Sequence, residues 1–178
     1  MEYQEGKLLL LDQRYLPSKE STFICKDFRQ VVDAIKNMVV RGAPAIGVAG
    51  AFGIVLAAEE YMDLEPDQFF ENLDKACLLL SQARPTAVNL TWAVSRMRGV
   101  IHQEEGRGPA QIHQALLEEA QTIFEEDLKT NASMAQWGNT LIPLGATILT
   151  HCNTGALATV GIGTALGVIR EAHKSGKD

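Results

Sequence analysis

Short apolar runs separated by turn-forming residues mark the start of the chain. The segments LLLLDQRYLP and STFICKD each carry such a run, and Pro17 and Ser18 lie between them. This pattern is typical of strands joined by a turn, because proline and small polar residues interrupt the pairing of extended backbone. It predicts two short strands that form an antiparallel hairpin.

A helical pattern begins with DFRQVVDAIKNMVV, where charged residues separate apolar residues at helical spacing. That spacing places the apolar residues on one stripe of a helix that ends at Arg41 and Gly42. We expect the stripe to face the core. Its members are Phe28, Val31, Val32, Ile35, Met38 and Val39.

The longest uncharged stretch, GAPAIGVAGAFGIVLAA, covers residues 42–58. It is shorter than the roughly 20 apolar residues that a membrane span requires, so it predicts a buried helix from about residue 44 to 61. Pro44 suits the first turn of that helix. Gly47, Gly50 and Gly53 repeat every three residues, which places them near one face, where a neighbouring backbone can approach closely.

Three further helical segments follow. DQFFENLDKACLLLSQA ends at Arg84 and Pro85, because the residue before a proline avoids helical backbone. The next helix covers residues 87–102, and a long acidic helix covers residues 110–137 after the GRGPA break. The apolar stripe of the long helix is typical of core packing and consists of Ile112, Leu116, Ala120, Ile123 and Phe124. The pattern of residues 1–144 therefore predicts a mainly α amino-terminal domain with a short β-hairpin.

The pattern changes at Gly145. ATILTHCN, residues 146–153, predicts a strand, TGALATVGIG a glycine-rich loop, and TALGVIREAHKSG a helix. This order is typical of the first β-α unit of a parallel α/β domain. In such a domain the strand pairs with a second strand that follows the crossover helix. Because the sequence stops at Lys177 and Asp178, we expect the remainder of this second domain, which begins at residue 145, to be absent.

Composition and charge narrow the function classes. Of 178 residues, 46% are hydrophobic, which is enough for one globular domain or for one domain and part of another. The net charge of −6 argues against nucleic acid as a partner. Cys25, Cys77 and Cys152 are widely spaced and form no metal-binding cluster, and the amino terminus lacks the pattern of a secretory signal. We expect a cytoplasmic protein with reduced thiols and no membrane partner.

The glycine-rich loop is the first candidate for ligand binding. Gly155, Gly161, Gly163 and Gly167 give the spacing G-x-G-x-x-x-G, which differs from the dinucleotide spacing G-x-G-x-x-G. A nicotinamide cofactor is therefore not predicted. Backbone amides at a helix start still suit an anion such as a sugar phosphate, and close packing of the glycines is the alternative.

Two arginines precede predicted helices. Arg41 comes directly before Gly42, Ala43 and Pro44, beside the free amides that open the buried helix. Arg84 precedes Pro85 at the head of another helix, so the two guanidinium groups could form a clamp on a phosphate. The alternative is a pair of surface arginines that bind acidic side chains.

Cys152 lies at the carboxyl end of the predicted strand, where ligands meet parallel α/β sheets. A thiol there would face a site, although cysteine is often a small buried hydrophobic residue. Cys25 and Cys77 lie in apolar stripes and are expected in the core. His151 should point to the opposite face of the strand, which indicates a structural residue or one that supports the site, and not a general base.

Three segments resemble a known family. RGAPAIGVAGAFGIVLAA (41–58), RPTAVNLTWAV (84–94) and HCNTGALATVGIGTALGVIREAHKSGKD (151–178) closely resemble bacterial methylthioribose-1-phosphate isomerases, in the same order. That family is related to regulatory subunits of translation initiation factor two-B and to ribose-1,5-bisphosphate isomerase. It joins a helical amino-terminal domain to a Rossmann-like domain. The resemblance implies that this chain is the amino-terminal half and that residues 145–178 begin a truncated Rossmann-like α/β domain.

The resemblance also implies roles for individual residues. Arg41, Gly42, Ala43 and Arg84 would bind substrate, and Cys152 would be catalytic. The family's catalytic aspartate, a glutamine and an Asn-Lys pair belong to the later part of the Rossmann-like domain, so we expect this chain alone to be inactive. The intact enzyme would be a homodimer without metal or organic cofactor that interconverts 5-methylthioribose 1-phosphate and 5-methylthioribulose 1-phosphate in methionine salvage.

Two rival functions fit the same family. A non-catalytic regulatory subunit of the initiation-factor type would have no reason to combine Arg41, Arg84 and Cys152. Ribose-1,5-bisphosphate isomerase would have a similar set, but the NLTWA ending of the second segment resembles the methylthioribose branch more closely.

Overall fold

The structure, a computed structural model, describes residues 1–177 as a small sheet followed by helices. Three strands come first: β1 Glu2–Gln4, β2 Lys7–Leu11 and β3 Thr22–Cys25. Six α-helices follow in the described residues: α1 Phe28–Lys36, α2 Ala43–Tyr61, α3 Pro66–Ser81, α4 Val88–Gln103, α5 Pro109–Leu141 and α6 Ala165–Lys174. Single 3-10 turns lie at Gln13–Tyr15 and Ala156–Ala158. The protein is mostly helical with one small sheet.

The sheet is antiparallel and has the strand order β1-β2-β3. The hairpin predicted from the sequence is present as β2 and β3, with Leu8 opposite Cys25 and Leu10 opposite Phe23. Leu8, Leu10 and Cys25 are buried, so this face of the sheet covers the core. The three-residue strand β1 has too short an apolar pattern to be predicted, and pairing with β2 defines it.

The connection between β2 and β3 is longer than the predicted tight turn and is ordered by Asp12. The buried Asp12 carboxylate accepts hydrogen bonds from the Arg14 backbone N–H at 3.2 Å and from Arg14 Nε at 2.8 Å. Hydrogen bonds from the Arg14 side chain lower the pKa of Asp12 below its usual value. This pair fixes the 3-10 turn before β3.

α1 carries the predicted apolar stripe, but it ends at Lys36 and not at Arg41. Met38 is the member of the stripe that was wrongly assigned: it has a φ of +58° and its side chain is 47% exposed. The chain leaves the helix after Asn37, where the Val39 N–H donates to the Ala34 carbonyl at 2.9 Å. Helical spacing therefore no longer decides which way Met38 points.

α2 is the central helix of the core. By length and composition it could cross a membrane, yet residues 45–58 are all buried and the helix packs against α1, α3, α4 and α5, as is typical of a core helix. The close packing predicted for its glycines is confirmed, but not on one face, because Gly53 meets Leu80 of α3 and Val31 of α1. A Cβ added to Gly47 would lie 2.9 Å from the Asn89 carbonyl oxygen, and one added to Gly50 would meet Leu90. α2 and α4 therefore cross at close range.

The three later helices also match the predicted pattern, with shifts at their ends. α3 ends at Ser81, short of Arg84, and α5 continues to Leu141, beyond the predicted end. The stripe on α5 is confirmed, because Ile112, Leu116, Ala120 and Ile123 are buried and Phe124 packs against the core. Arg96 of α4 binds Glu119 and Glu126 of α5 and so ties the two helices together.

The strand predicted for residues 146–153 is wrong. This segment is irregular, and Leu149 is 97% exposed. A strand is stabilised by hydrogen bonds to a neighbour, and no described residue supplies a neighbour here. The glycine-rich loop and the helix predicted after it are present, the helix as α6, which packs against α5.

Candidate functional site

A cleft of about 660 Å³ lies where α2, α4 and the segment after α5 meet. It brings together Arg41, Gly42, Ala43, Arg84 and Cys152, whereas the glycines of the glycine-rich loop, Gly155, Gly161, Gly163 and Gly167, do not line it. Further polar residues line it: Thr86, Asn89, Asn153, Thr154 and Thr164. The candidate residues, which are far apart in the sequence, therefore share one concave surface.

The amino-terminal ends of three helices line this cleft. Ala43 and Pro44 begin α2, Val88 and Asn89 begin α4, and Thr164 immediately precedes α6. Within residues 1–177, none of the three helices has an N-cap side-chain hydrogen bond, although the Leu166 N–H of α6 already donates to the Thr154 carbonyl at 3.3 Å. The first backbone N–H groups of a helix lack helical partners and carry partial positive charge. Their convergence favours an anion as the ligand.

The two arginines of the cleft have no acidic partner. Among the described residues, no carboxylate lies within 4.0 Å of the guanidinium group of Arg41 or Arg84, although most other arginines do bind one: Arg14, Arg29, Arg96, Arg98 and Arg107. The alternative of surface arginines paired with acids therefore does not describe this structure. Two unpaired cations in a concave surface add to the positive potential of the helix ends.

Gly42 holds the start of α2 against the loop that follows Cys152. Its φ is +96°, a conformation that favours glycine, and a Cβ at this position would lie 2.6 Å from the Cβ and from the carbonyl oxygen of Ala158. Ala158 is itself buried. The absence of a side chain at Gly42 therefore allows the two walls of the cleft to touch.

The glycine-rich loop, residues 154–164, is closed on itself. The Thr154 carbonyl accepts a hydrogen bond from the Thr164 N–H at 2.9 Å, which joins the two ends. Inside the loop, the buried Thr159 hydroxyl accepts from the N–H groups of Gly161 and Gly163 at 3.1 and 3.2 Å. A Cβ on Gly163 would lie 2.6 Å from the Thr154 carbonyl oxygen, so glycine is required there.

Two distant side chains anchor this loop from opposite sides. On α5, Asp127 Oδ2 accepts from the Val160 N–H at 2.9 Å, and Asp127 Oδ1 accepts from Asn131 Nδ2 at 2.9 Å. Next to β2, Gln13 Nε2 donates to the Leu157 carbonyl at 2.9 Å. The loop is thus fixed to both the helical layer and the sheet, which pre-organises the wall it contributes.

Cys152 is the one exposed cysteine of the three. Its φ of +72° is uncommon for a residue with a side chain, and such strain is often found at functional sites. Cys25 and Cys77 are buried as expected, and burial raises the pKa of each thiol to about 12. Only the Cys152 thiol is therefore open to a ligand or a reagent.

His151, directly before Cys152, is exposed and does not line the cleft. The predicted orientation of His151 rested on a strand that is absent here, so its supporting role stays a prediction. In the part of the chain that the structure describes, no cluster of His, Cys, Asp and Glu side chains could hold a metal ion.

Several residues of the site were not predicted. Asn89, Asn153 and Thr154 line the cleft and lie within the segments RPTAVNLTWAV and HCNTG, so their position in those segments was the available signal. Asp127 and Gln13 affect the cleft indirectly, through their hydrogen bonds to the glycine-rich loop. No local sequence pattern marks either residue. Met38 lines the cleft because the chain turns after α1.

Comparisons with known proteins place this geometry in a family. The model of the initiation factor 2 subunit family matches residues 39–178. The chain is 57% identical over its whole length to a methylthioribose-1-phosphate isomerase from Caldanaerobacter subterraneus subsp. tengcongensis and covers 52% of that protein. It is 49% identical to the protein of the same name from Heliobacterium modesticaldum, again with 100% of this chain and 52% of the relative covered. The chain thus spans about half the length of these curated relatives.

Two solved structures share the fold. A crystal structure of 5-methylthioribose 1-phosphate isomerase from Pyrococcus horikoshii OT3 superposes with a TM-score of 0.92 and 39% identity over 99% of this chain and 49% of that one. Translation initiation factor eIF-2B, subunit delta, from A. fulgidus superposes with a TM-score of 0.84 and 41% identity over 99% of this chain and 51% of that one. The fold is therefore common to proteins with different names. Because the family model covers most of the sequence, this chain belongs to the initiation factor 2 subunit family.

Proposed function

We propose that this chain is the amino-terminal half of a methylthioribose-1-phosphate isomerase, which interconverts 5-methylthioribose 1-phosphate and 5-methylthioribulose 1-phosphate in methionine salvage. The observation that carries the proposal is the single cleft that holds two unpaired arginines, three helix ends and the exposed Cys152. The names of the curated relatives support the same reading. The proposal includes a homodimeric enzyme in the cytoplasm and a Rossmann-like domain of which residues 145–178 are the start.

In this proposal the cleft holds the phosphate group. Arg41 and Arg84 bind its oxygens, since guanidinium groups match a phosphate with paired hydrogen bonds. The backbone of Gly42 and Ala43, at the start of α2, supplies N–H donors that need no rearrangement on binding. Together these groups would fix the anomeric end of the sugar near Cys152.

The chemistry then concerns carbons one and two of the sugar. The anomeric oxygen carries the phosphate ester, so the ring cannot open by simple reversal of a hemiacetal. A proton donor at the ring oxygen is required, and the resemblance assigns this role to an aspartate of the later domain. Cys152 is the group we assign to the hydrogen shift between carbons one and two. The chain's own residues therefore supply binding and one half of the catalytic pair.

The regulatory-subunit alternative has one observation in its favour, the similarity to translation initiation factor eIF-2B, subunit delta. That function does not account for an exposed, strained cysteine in the same cleft as two unpaired arginines. Ribose-1,5-bisphosphate isomerase accounts for the cysteine and the arginines equally well. The two isomerases differ in the substituent on carbon five of the sugar.

Protection of Cys152 from alkylation tests the proposal. The 178-residue chain is treated with iodoacetamide with and without 5-methylthioribose 1-phosphate, and labelling at Cys152 is measured by mass spectrometry. We expect the phosphorylated sugar to slow labelling, and methylthioribose without phosphate to have far less effect. The variant Cys152→Ser serves as the control and should take up no label in the folded state, because Cys25 and Cys77 are buried. Labelling that no phosphorylated sugar slows would contradict the proposed function.

A further inference from the structure

Two walls of the cleft come from segments that are far apart in the sequence. The arginine wall, residues 38–46, carries Arg41, and the cysteine wall, residues 152–164, carries Cys152. The walls touch at Gly42 and Ala158. This contact limits how closely the walls approach, but it does little to hold them together, because the attraction between a few non-bonded atoms is weak.

Gln13, in the 3-10 turn after β2, forms a hydrogen bond to each of these walls. Its backbone N–H donates to the Val39 carbonyl at 3.0 Å, two residues before Arg41. Its side-chain Nε2 donates to the Leu157 carbonyl at 2.9 Å, in the turn that contains Ala158. One residue next to the sheet therefore bridges the arginine wall and the cysteine wall.

The backbone on both sides of Gln13 is itself fixed. The Asp12 N–H donates to the Ser21 carbonyl at 2.8 Å, and the Asp12 carboxylate binds the Arg14 side chain. The acceptor residue Val39 is buried, with 1% of its surface exposed. Hydrogen bonds between groups that are held in this way fix the relative position of the segments they join.

Gln13 lies behind the cleft and does not line it. It lines a cavity of about 80 Å³ between β2 and the cysteine wall, and among residues 1–177 this cavity shares no lining residue with the cleft. Most of the cavity lining is apolar, including Leu10, Val40 and Ala45. Packing in these surroundings does not require an amide at position 13, whereas the Leu157 carbonyl requires a donor.

On the basis of the proposed function, we propose that Gln13 is a positioning residue of the isomerase, which holds the arginine wall and the cysteine wall so that Arg41 and Cys152 act on one ligand. Asp127 has a different role, because it ties the cysteine wall to α5, which carries neither of these two groups. The reaction depends on such positioning, since a displacement of about 1 Å can cost about 100-fold in rate.

Three substitutions separate hydrogen bonding from packing. Gln13→Met keeps the length of the side chain and removes the donor. Gln13→Glu keeps the shape and, at neutral pH, offers only acceptors, whereas Gln13→Lys returns a donor. A role through the hydrogen bond predicts that the first two variants are impaired and the third is not. Gln82→Met is the matched control, since Gln82 is exposed at the end of α3 and lies outside the cleft.

Amide hydrogen exchange of residues 155–159 tests the hold on the cysteine wall without any ligand. Loss of one hydrogen bond predicts about 2- to 12-fold faster exchange in Gln13→Met and Gln13→Glu. Gln13→Lys and Gln82→Met should exchange like the unmodified chain. Circular dichroism checks that each variant of the 178-residue chain is folded.

Calorimetry with 5-methylthioribose 1-phosphate tests whether Gln13 sets the walls for the ligand. We expect Gln13→Met to lower the affinity by about 2- to 12-fold, and Gln13→Lys to retain most of it. When Gln13→Met is combined with Arg41→Ala, it should cause a much smaller further loss, because no guanidinium is left on the arginine wall to be positioned.

The outcomes distinguish this inference from the proposed function. Failure of the unmodified chain to bind 5-methylthioribose 1-phosphate would overturn the proposed function, while hydrogen exchange would still decide whether Gln13 holds the cysteine wall. The positioning role itself would be overturned by unchanged exchange and affinity in Gln13→Met, or by equal impairment of Gln13→Met and Gln13→Lys. An equal loss of affinity from Gln13→Met with and without Arg41 would also overturn it.

Discussion

Gly42 and Ala158 touch so closely that no side chain fits between them: a Cβ on Gly42 would lie 2.6 Å from both the Cβ and the carbonyl oxygen of Ala158. Gly42 is the N-cap residue immediately before α2, and Ala158 belongs to the 3-10 turn of the glycine-rich loop. This contact places Arg41 and the segment that carries Cys152 on adjacent walls of one cleft. The geometry of the candidate site therefore depends on a position without a side chain.

Gly42→Ala should disturb both stability and ligand binding. The φ of +96° and the contact with Ala158 together predict a loss of about 1 to 3 kcal/mol in the free energy of unfolding. Urea unfolding measures this loss, and calorimetry with 5-methylthioribose 1-phosphate measures binding. Gly99→Ala is the matched control, because Gly99 lies inside α4 and an added Cβ meets nothing within 4 Å. It should stabilise the protein by about 0.5 to 1 kcal/mol. Equal effects of both substitutions would contradict the assignment.

Arg41→Ala and Arg84→Ala should each weaken binding of the phosphorylated sugar. A hydrogen bond to a charged group contributes about 1.5 to 3 kcal/mol, which corresponds to a loss of about 10- to 150-fold in affinity. Arg170→Ala provides the control, since Arg170 is an exposed arginine outside the cleft. Methylthioribose without phosphate should be indifferent to all three substitutions. Equal losses for the phosphorylated and the free sugar would show that the arginines do not act on the phosphate.

Asp127→Ala should loosen the glycine-rich loop. The substitution removes the acceptor for the half-buried Val160 N–H, and leaving such a donor unpaired costs about 1 to 3 kcal/mol, whereas Asn131 Nδ2 keeps its hydrogen bond to the backbone carbonyl of residue 127. Amide hydrogen exchange of residues 155–163 should become faster, and alkylation of Cys152 should change its rate. Asp74→Ala is a suitable control, because Asp74 forms an exposed ion pair with Arg98, and such pairs contribute little. Unchanged exchange in the loop would remove Asp127 from this role.

The pair formed by Asp12 and Arg14 predicts a pH dependence of stability. Because the pKa of Asp12 is lowered in the folded state, its stabilising contribution is fully present above the unfolded value of about 3.9 and is lost as pH falls through the folded value. Asp12→Asn should therefore lower Tm at neutral pH, and the difference from the unmodified protein should shrink below about pH 4. Thermal unfolding between pH 2 and pH 7 measures this. A Tm difference that stays constant with pH would contradict the pairing.

The 178-residue chain by itself should bind the sugar phosphate without converting it. Among residues 1–177, those that line the cleft include no aspartate, glutamate or histidine, so the Cys152 thiol has no second acid or base beside it to protonate the ring oxygen. An assay for ketose formation checks this, first with the chain alone and then with the carboxy-terminal half of a related isomerase added. Turnover by the chain alone would show that its own residues complete the catalytic pair.

Local patterns of the sequence were sufficient for most of the helices. The uniformly apolar composition of α2 predicted its burial. The spacing of the glycines in α2 predicted the close approach of a neighbouring helix, which the structure shows to be α4. The motifs at residues 41–43, 84 and 152 were recognisable as candidates because each combines a reactive or charged group with a helix start or a glycine-rich loop. These features depend on residues that are neighbours along the chain, where side-chain periodicity and backbone preference act directly.

Only the tertiary structure decided what depends on partners distant in the sequence. β1 forms because β2 pairs with it, whereas residues 146–153 form no strand because no described neighbour pairs with them, however apolar they are. Arg41, Arg84 and Cys152 meet in one cleft, and Asp127 binds the Val160 N–H, because α2, α4, α5 and the segment after α5 pack together. The sequence determined which groups could carry chemistry, and packing determined which of them meet, because contacts across the fold leave no periodic trace along the chain.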